Sequence, residues 1–168
     1  MGSGRLVLLG TRSAFSRAVL EELLRLGRPP VALLVPAGDA PAAARRVLLA
    51  PDAPSLARQH GIPVVDACGV ADPALRRLTP DWACAACFPW RLPGSWRAAA
   101  PRGCLNLHPS LLPAYRGPAP LFWQLRDDAR ETGVTLHVMD EGLDTGDVVG
   151  RQRVELPDDL VTAEVEER

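Results

Sequence analysis

The sequence predicts an α/β protein with a mostly parallel, Rossmann-like sheet and helices on both faces. Three observations carry this expectation. Apolar runs of strand length recur at residues 5–9, 31–35, 62–65 and 82–88. Helical spacing separates the first of them, and alternation of strand and helix favours parallel pairing through crossover helices. The chain has 168 residues, 47% hydrophobic and 23% charged, enough for one domain with a core and an ordinary charged surface.

Taken in order, residues 5–9 form a strand that ends at Gly10. Ser13 fits the N-cap position, with Thr11 its competitor, because a hydroxyl there accepts an orphan N–H of the first turn. Phe15, Val19, Leu20, Leu23 and Leu24 follow at helical intervals, and Gly27 stops the helix. The turn between strand and helix, Gly10-Thr11-Arg12-Ser13, lacks the three spaced glycines of a dinucleotide fingerprint, so NAD binding is not expected. Residues 36–46, rich in Pro, Ala and Gly, read as a mobile surface loop. Arg45 and Arg46 within it read as a solvated basic face. Residues 54–60 form a short helix closed by Gly61, with His60 in a helix-end role. A strand at 62–65 and a short helix at 73–78 follow. The strand at 82–88 contains Cys84-Ala85-Ala86-Cys87. No second cysteine pair or suitable His follows and the motif does not open a helix, so it reads as core packing. This strand runs into Phe88-Pro89-Trp90-Arg91-Leu92-Pro93, an aromatic and proline turn of the kind found where open α/β sheets take ligands.

The richest stretch lies beyond. If residues 103–108 are a strand, Asn106 and His108 share one face while Leu105 and Leu107 pack behind. Pro109 keeps His108 extended, because a residue before proline avoids the helical region. Ser110, Pro113 and Gly117 continue into a loop able to wrap a ligand. A short helix at 118–125 and strands at 133–139 and 147–156 follow, with His137 inside a strand and read as structural. A helix begins at 161. Between the last two strands, Asp140-Glu141-Gly142-Leu143-Asp144-Thr145-Gly146-Asp147 is a tight acidic turn able to return a carboxylate to the sheet end. Asn, His and Asp at one point suit a carbonyl centre: amide and protonated imidazole donate to a developing oxyanion, and the His–Asp pair manages the proton. Ser110 lacks a nucleophile elbow, and the acidic turn lacks the twelve-residue calcium pattern, so neither a serine nucleophile nor a metal is expected.

Global features exclude other classes. A net charge of −1 offers no general basic field for nucleic acid, although a local patch is compatible with it. No apolar run reaches the roughly 20 residues of a membrane span, and residues 6–9 are too short for a signal sequence. Four cysteines without a disulfide framework point to a reducing cytoplasm.

These motifs resemble the folate-dependent formyltransferases, most of all the N-terminal catalytic domain of methionyl-tRNA formyltransferase. The family's Asn-x-His-x-Ser-Leu-Leu-Pro block matches Asn106 to Pro113, and its Arg-Gly matches Arg116-Gly117. Its Thr-Gly-Val-Thr matches Thr132 to Thr135, and its Asp-x-Gly-Asp matches Asp144 to Asp147. The resemblance spans nearly the whole chain and implies the formyltransferase fold. It implies Asn106, His108 and Asp144 as the catalytic trio, with 10-formyltetrahydrofolate as formyl donor cosubstrate and an amine as acceptor. The folate would lie against Phe88, Pro89, Trp90, Arg91 and Leu92, against Ser110, Leu111, Leu112 and Pro113, and against Val138, Met139, Asp140, Glu141 and Gly142. Gly10, Thr11, Arg12, Arg116 and Gly117 are the candidates for acceptor binding. The leading acceptor is methionyl-tRNA, making the initiator tRNA a partner. Sugar-nucleotide and glycinamide ribonucleotide formyltransferases, a formyltetrahydrofolate hydrolase and a non-catalytic folate-binding module are the alternatives. Methionyl-tRNA formyltransferases continue into a second, barrel-like domain, so residues 1–168 are expected to be one catalytic domain truncated at its C-terminal end.

Overall fold

The computed structural model describes residues 4–37, 52–69 and 73–156. The chain divides into two compact units, Met1–Cys104 and Leu105–Arg168.

In the first unit, four strands run in the order β3-β2-β1-β4 and all pair in parallel. They are β1 (Leu6–Leu9), β2 (Ala32–Pro36), β3 (Val64–Ala67) and β4 (Trp82–Ala86). Consecutive residues of β1 and β2, Val7 to Leu9 and Ala32 to Leu34, are all fully buried. Burial without alternation is the signature of parallel strands covered on both faces. Helix α1 (Ala14–Arg25) starts at Ser13, whose side chain accepts the Ser16 N–H at 3.2 Å. It ends in a Schellman motif: Gly27 N–H donates to the Leu24 carbonyl at 3.0 Å, and Arg28 N–H to the Leu23 carbonyl at 2.8 Å. Gly27 takes φ +65°, a conformation that glycine adopts without penalty. Leu20 packs with Leu8, Leu33, Leu56 and Ile62 in the core.

Helix α2 (Ala53–Gln59) is capped by Asp52, which accepts the Ser55 N–H at 2.9 Å and pairs with Arg12. Strand β3 begins two residues later than the apolar run suggested. Ile62 instead closes the helix exit, donating its N–H to the Ala57 carbonyl at 2.8 Å and burying its side chain. The short helix expected at 73–78 is α3 (Ala74–Arg77). Beyond β4, an unexpected turn of helix, α4 (Gly94–Arg97), follows Pro93 and buries Trp96. The cysteine pair divides. Cys84 packs half-buried against the core, whereas Cys87 is exposed beyond the strand end at φ +55°. Core packing therefore describes one of the two cysteines. Burial, with Cys104 adding to it, pushes the Cys84 thiol up to about 12, and burial raises Cys104 to about 11.

The second unit begins within β5 (Gly103–His108), which from Leu105 on pairs antiparallel with β6 (Glu131–Val138), and β6 pairs antiparallel with β7 (Val148–Glu155). The register sets Asn106 opposite His137 and His108 opposite Thr135. A bulge interrupts the β6–β7 ladder at Leu136/His137. Helix α5 (Pro120–Arg126) starts two residues after the expected point, behind Ala119 at φ +55°. The stretch 38–51, including Arg45 and Arg46, and the helix expected from 161 lie outside the described residues. Among the described residues, no helix is long and apolar enough to cross a membrane.

Candidate active site

The cluster in the second unit is built by three local devices. Alternation along β5 puts Asn106 and His108 on one face. Alternation along β6 does the same for Thr135 and His137, and the register brings the two pairs together. The loop after β6 then returns Asp144 to them. Asp144 sits at φ +53°, and the flanking glycines leave no space for side chains. A Cβ on Gly146 would run into the Val138 carbonyl, and one on Gly142 into Thr145. Asp140 ties this loop to itself, accepting the Gly142 N–H at 2.8 Å and the Thr145 hydroxyl at 2.8 and 2.9 Å. The Thr145 bond, with help from the Gly142 N–H, holds the Asp140 carboxyl below its usual range despite some desolvation.

Asp144 is the hub. Its Oδ2 accepts the Gly117 N–H at 2.8 Å and faces His108 Nδ1 at 3.6 Å. Its Oδ1 accepts a long bond from Asn106 Nδ2 at 3.4 Å and lies 3.6 Å from His137 Nε2. His108 is anchored by its other nitrogen: Nε2–H donates to the Tyr115 carbonyl at 2.9 Å, which assigns the proton to Nε2. Asp144 thus faces His108 at more than direct hydrogen-bond length rather than gripping it. His137 Nδ1–H donates to the Val138 carbonyl at 2.9 Å, leaving Nε2 to accept from Asn106 Nδ2 at 3.2 Å. Burial alone would raise the Asp144 carboxyl. The His137 contact, the Gly117 N–H and the charge of His108 outweigh it and hold the group below its usual value. Burial alone would lower His137. The Asp144 carboxylate and the Val138 carbonyl, with Asp140 behind, hold it above its usual value instead.

His137 therefore belongs to the cluster, correcting its reading as a structural strand residue. Its partners come from β5 and from the Asp144 loop, and a single strand's sequence does not reveal them. Thr135 was also missed. It is fully buried, its hydroxyl donates to the Ser110 carbonyl at 2.7 Å, and it accepts the Leu112 N–H at 3.1 Å. Gln124, 2% exposed, supports the same loop by donating to the Pro109 carbonyl at 2.9 Å and accepting from Thr132 at 2.7 Å. The loop so held carries the Tyr115 carbonyl and the Gly117 N–H that position His108 and Asp144.

Ser110 is fully buried and its hydroxyl donates to the Ala114 carbonyl at 2.7 Å, so its side chain locks the turn. Leu112 is buried before a cis Pro113, whereas Leu111 is half-buried and Pro113 exposed. Val138, Asp140, Glu141 and Gly142 are exposed and Met139 is half-buried. Arg116 is exposed. In the first unit, Phe88 stands edge-on to Trp90 at 5.3 Å and tilts against Trp96 at 6.2 Å. Pro89 and Arg91 are exposed, and Leu92 is buried with its carbonyl accepting from Arg97 at 2.7 Å. Ser110, Leu112 and Leu92 are thus each buried, not presented to solvent. At the Gly10-Thr11-Arg12 turn, the hydroxyls of Thr11, Ser13 and Ser16 bond to one another, and Ser16 reaches the Ala86 carbonyl at 2.7 Å. Arg12 is paired with Asp52, so this turn satisfies its own polar groups.

A methionyl-tRNA formyltransferase of Syntrophus aciditrophicus (strain SB) is 40% identical over 156 residues, covering 90% of this chain and 49% of that protein. A methionyl-tRNA formyltransferase of Anaeromyxobacter dehalogenans (strain 2CP-C) is 42% identical over 159 residues, covering 92% of this chain and 50% of that one. The chain spans about half the length of these relatives. The solved structure of glycinamide ribonucleotide transformylase 1 from Geobacillus kaustophilus matches with a TM-score of 0.74 at 25% identity, over 99% of this chain and 90% of that one. Residues 5–168 match the family described as formyl transferase, and this chain belongs to that family.

Proposed function

We propose that the chain transfers a formyl group from 10-formyltetrahydrofolate to an amine, with methionyl-tRNA as acceptor, in a reducing cytoplasm. The observation that carries this reading is the convergence of Asn106, His108 and Asp144 in one cluster, Asn106 hydrogen-bonded to Asp144 at 3.4 Å and His108 Nδ1 lying 3.6 Å from it. In the reaction, the acceptor nitrogen bonds to the formyl carbon as the carbon–nitrogen bond to the folate breaks. The amine gives up a proton and the folate nitrogen gains one. Negative charge builds on the formyl oxygen along the way. Asn106 Nδ2–H and protonated His108 are the donors available to that oxygen, and Asp144 steadies the imidazolium and takes part in moving the proton. In the resting arrangement these donors bond to Asp144, His137 and Tyr115, so substrate must exchange some of those bonds for its own.

The test follows formyl release from 10-formyltetrahydrofolate by absorbance, without acceptor and then with methionyl-tRNA, an amino sugar nucleotide and glycinamide ribonucleotide. Turnover dependent on methionyl-tRNA, and reduced on the order of a hundredfold or more in His108→Ala, is the expected result. Turnover with another acceptor reassigns the substrate, and turnover with none makes the chain a hydrolase. Folate binding without turnover under any condition defeats the reading. With methionyl-tRNA, affinity should fall steeply with salt, because phosphate contacts release counterions.

A further inference from the structure

Asn106 has two amide protons, and both face acceptors inside the protein. Nδ2 lies 3.2 Å from His137 Nε2 and 3.4 Å from Asp144 Oδ1. This arrangement requires a neutral His137. The Val138 carbonyl holds the proton on Nδ1, so only an unprotonated Nε2 can accept from an amide. A proton added to Nε2 would set two donors against each other. The conflict is relieved when the Asn106 amide turns over, presenting its oxygen to the imidazolium and withdrawing its protons from His137. Nε2–H then lies between two acceptors, Asn106 Oδ1 and Asp144 Oδ1.

We infer that His137 is a positioning residue that sets the direction of the Asn106 amide: neutral His137 holds the amide protons inward, and protonated His137 holds the oxygen inward and frees the protons. The side chain of Asn106 is only half-buried, so freed protons can reach a ligand. The charged surroundings make both states accessible. From the loop after β6, Asp144 and Asp140 favour the imidazolium. From β5, the His108 ring stands edge-on at 6.5 Å and opposes it when charged. From β7, the residue in register is Val148, which carries no charge. Burial opposes the charged form, and the carboxylates with the Val138 carbonyl outweigh it. The consequence for catalysis rests on the formyl-transfer reading, in which Asn106 donates to the formyl oxygen. The coupling between His137 and Asn106 does not.

The test is a pH titration of the isotope-labelled 168-residue chain by NMR, without ligand, reading the His137 ring nitrogens and the Asn106 side-chain amide. The two should share one midpoint, with Nε2 of His137 gaining its proton as the Asn106 amide shifts. In His137→Met the Asn106 amide should lose that midpoint. Should the methionine variant fail to fold, His137→Gln serves, since it cannot titrate. Asn106 resonances that ignore His137, that follow His108 instead, or that keep their midpoint in the variant overturn the inference. Where formyl transfer is measurable, kcat of the unaltered chain should fall about tenfold or more as pH rises through the His137 midpoint, with KM for the folate little changed. The variant should lack that step. Absence of turnover defeats the functional reading alone, because the NMR result still decides the coupling.

Discussion

Replacing Thr135 by valine keeps shape and volume but removes the hydroxyl that fastens the loop beside the Asn106–His108–Asp144 cluster to β6. Thr135 is fully buried, so water cannot take the hydroxyl's place. Two backbone groups lose their partner: the Ser110 carbonyl, now bonded at 2.7 Å, and the Leu112 N–H, now bonded at 3.1 Å. A buried polar group left unpaired costs roughly 1–3 kcal/mol, so the pair amounts to about 2–4 kcal/mol once the valine methyl recovers some packing. For a chain of this size that corresponds to a fall in Tm of roughly 5–15 °C. Thermal melting gives the total, and amide exchange gives the location. Leu112 should lose protection, and Gly117, whose N–H holds Asp144 from the same loop, should follow. Thr135→Ser, which keeps the hydroxyl and drops a methyl, should cost only about 1 kcal/mol. Equal destabilisation in the two variants, or unchanged protection of Leu112 in the valine variant, would refute the reasoning.

Three further outcomes are expected. Gly133→Ala should destabilise by about 1–3 kcal/mol in denaturant titrations, because its Cβ would meet the Gln152 carbonyl and Leu111 Cδ2 at 2.6 Å; a cost near zero would show that β7 yields freely. Asp144 has its carboxyl lowered, so its contribution to stability is present above the unfolded value near 3.8 and is lost as pH falls through the folded value. His137 has its value raised from 6.5, so its contribution is present below that and is lost as pH rises through the folded value. Asp144→Asn should therefore flatten the acid limb of stability against pH and lower the His137 midpoint in NMR; an unmoved midpoint contradicts the ion pair. In the folded chain, a thiol alkylating agent followed by mass spectrometry should label exposed Cys68 and Cys87 and spare half-buried Cys84 and buried Cys104, since desolvation pushes these two thiols up to about 12 and about 11; rapid labelling of Cys84 would count against that shift.

Much of the fold was legible because its signals are local. Ser13, Gly27 and Gly61 marked helix ends through capping and positive φ, and their positions agree with the structure. Strand β5 matched its expected bounds, with Pro109 keeping its last residue extended. Boundaries shifted where a side chain had a second use. Ile62 left its strand to close a helix, and Trp96 drew a turn of helix into residues 94–97, for which the sequence offered no element.

By itself the sequence determined the alternating layers, the shared face of Asn106 and His108, and the glycine-bounded turn that carries Asp144. Each follows from the period of a strand or the reach of a turn, which are properties of neighbours in the chain. Only the tertiary structure decided that His137 stands opposite Asn106, that Thr135 and Gln124 hold the loop beside them, and that Ser110 faces inward. Those depend on strand register and loop closure. Register is chosen by the burial of whole strand faces against one another, and no short stretch of sequence contains that choice.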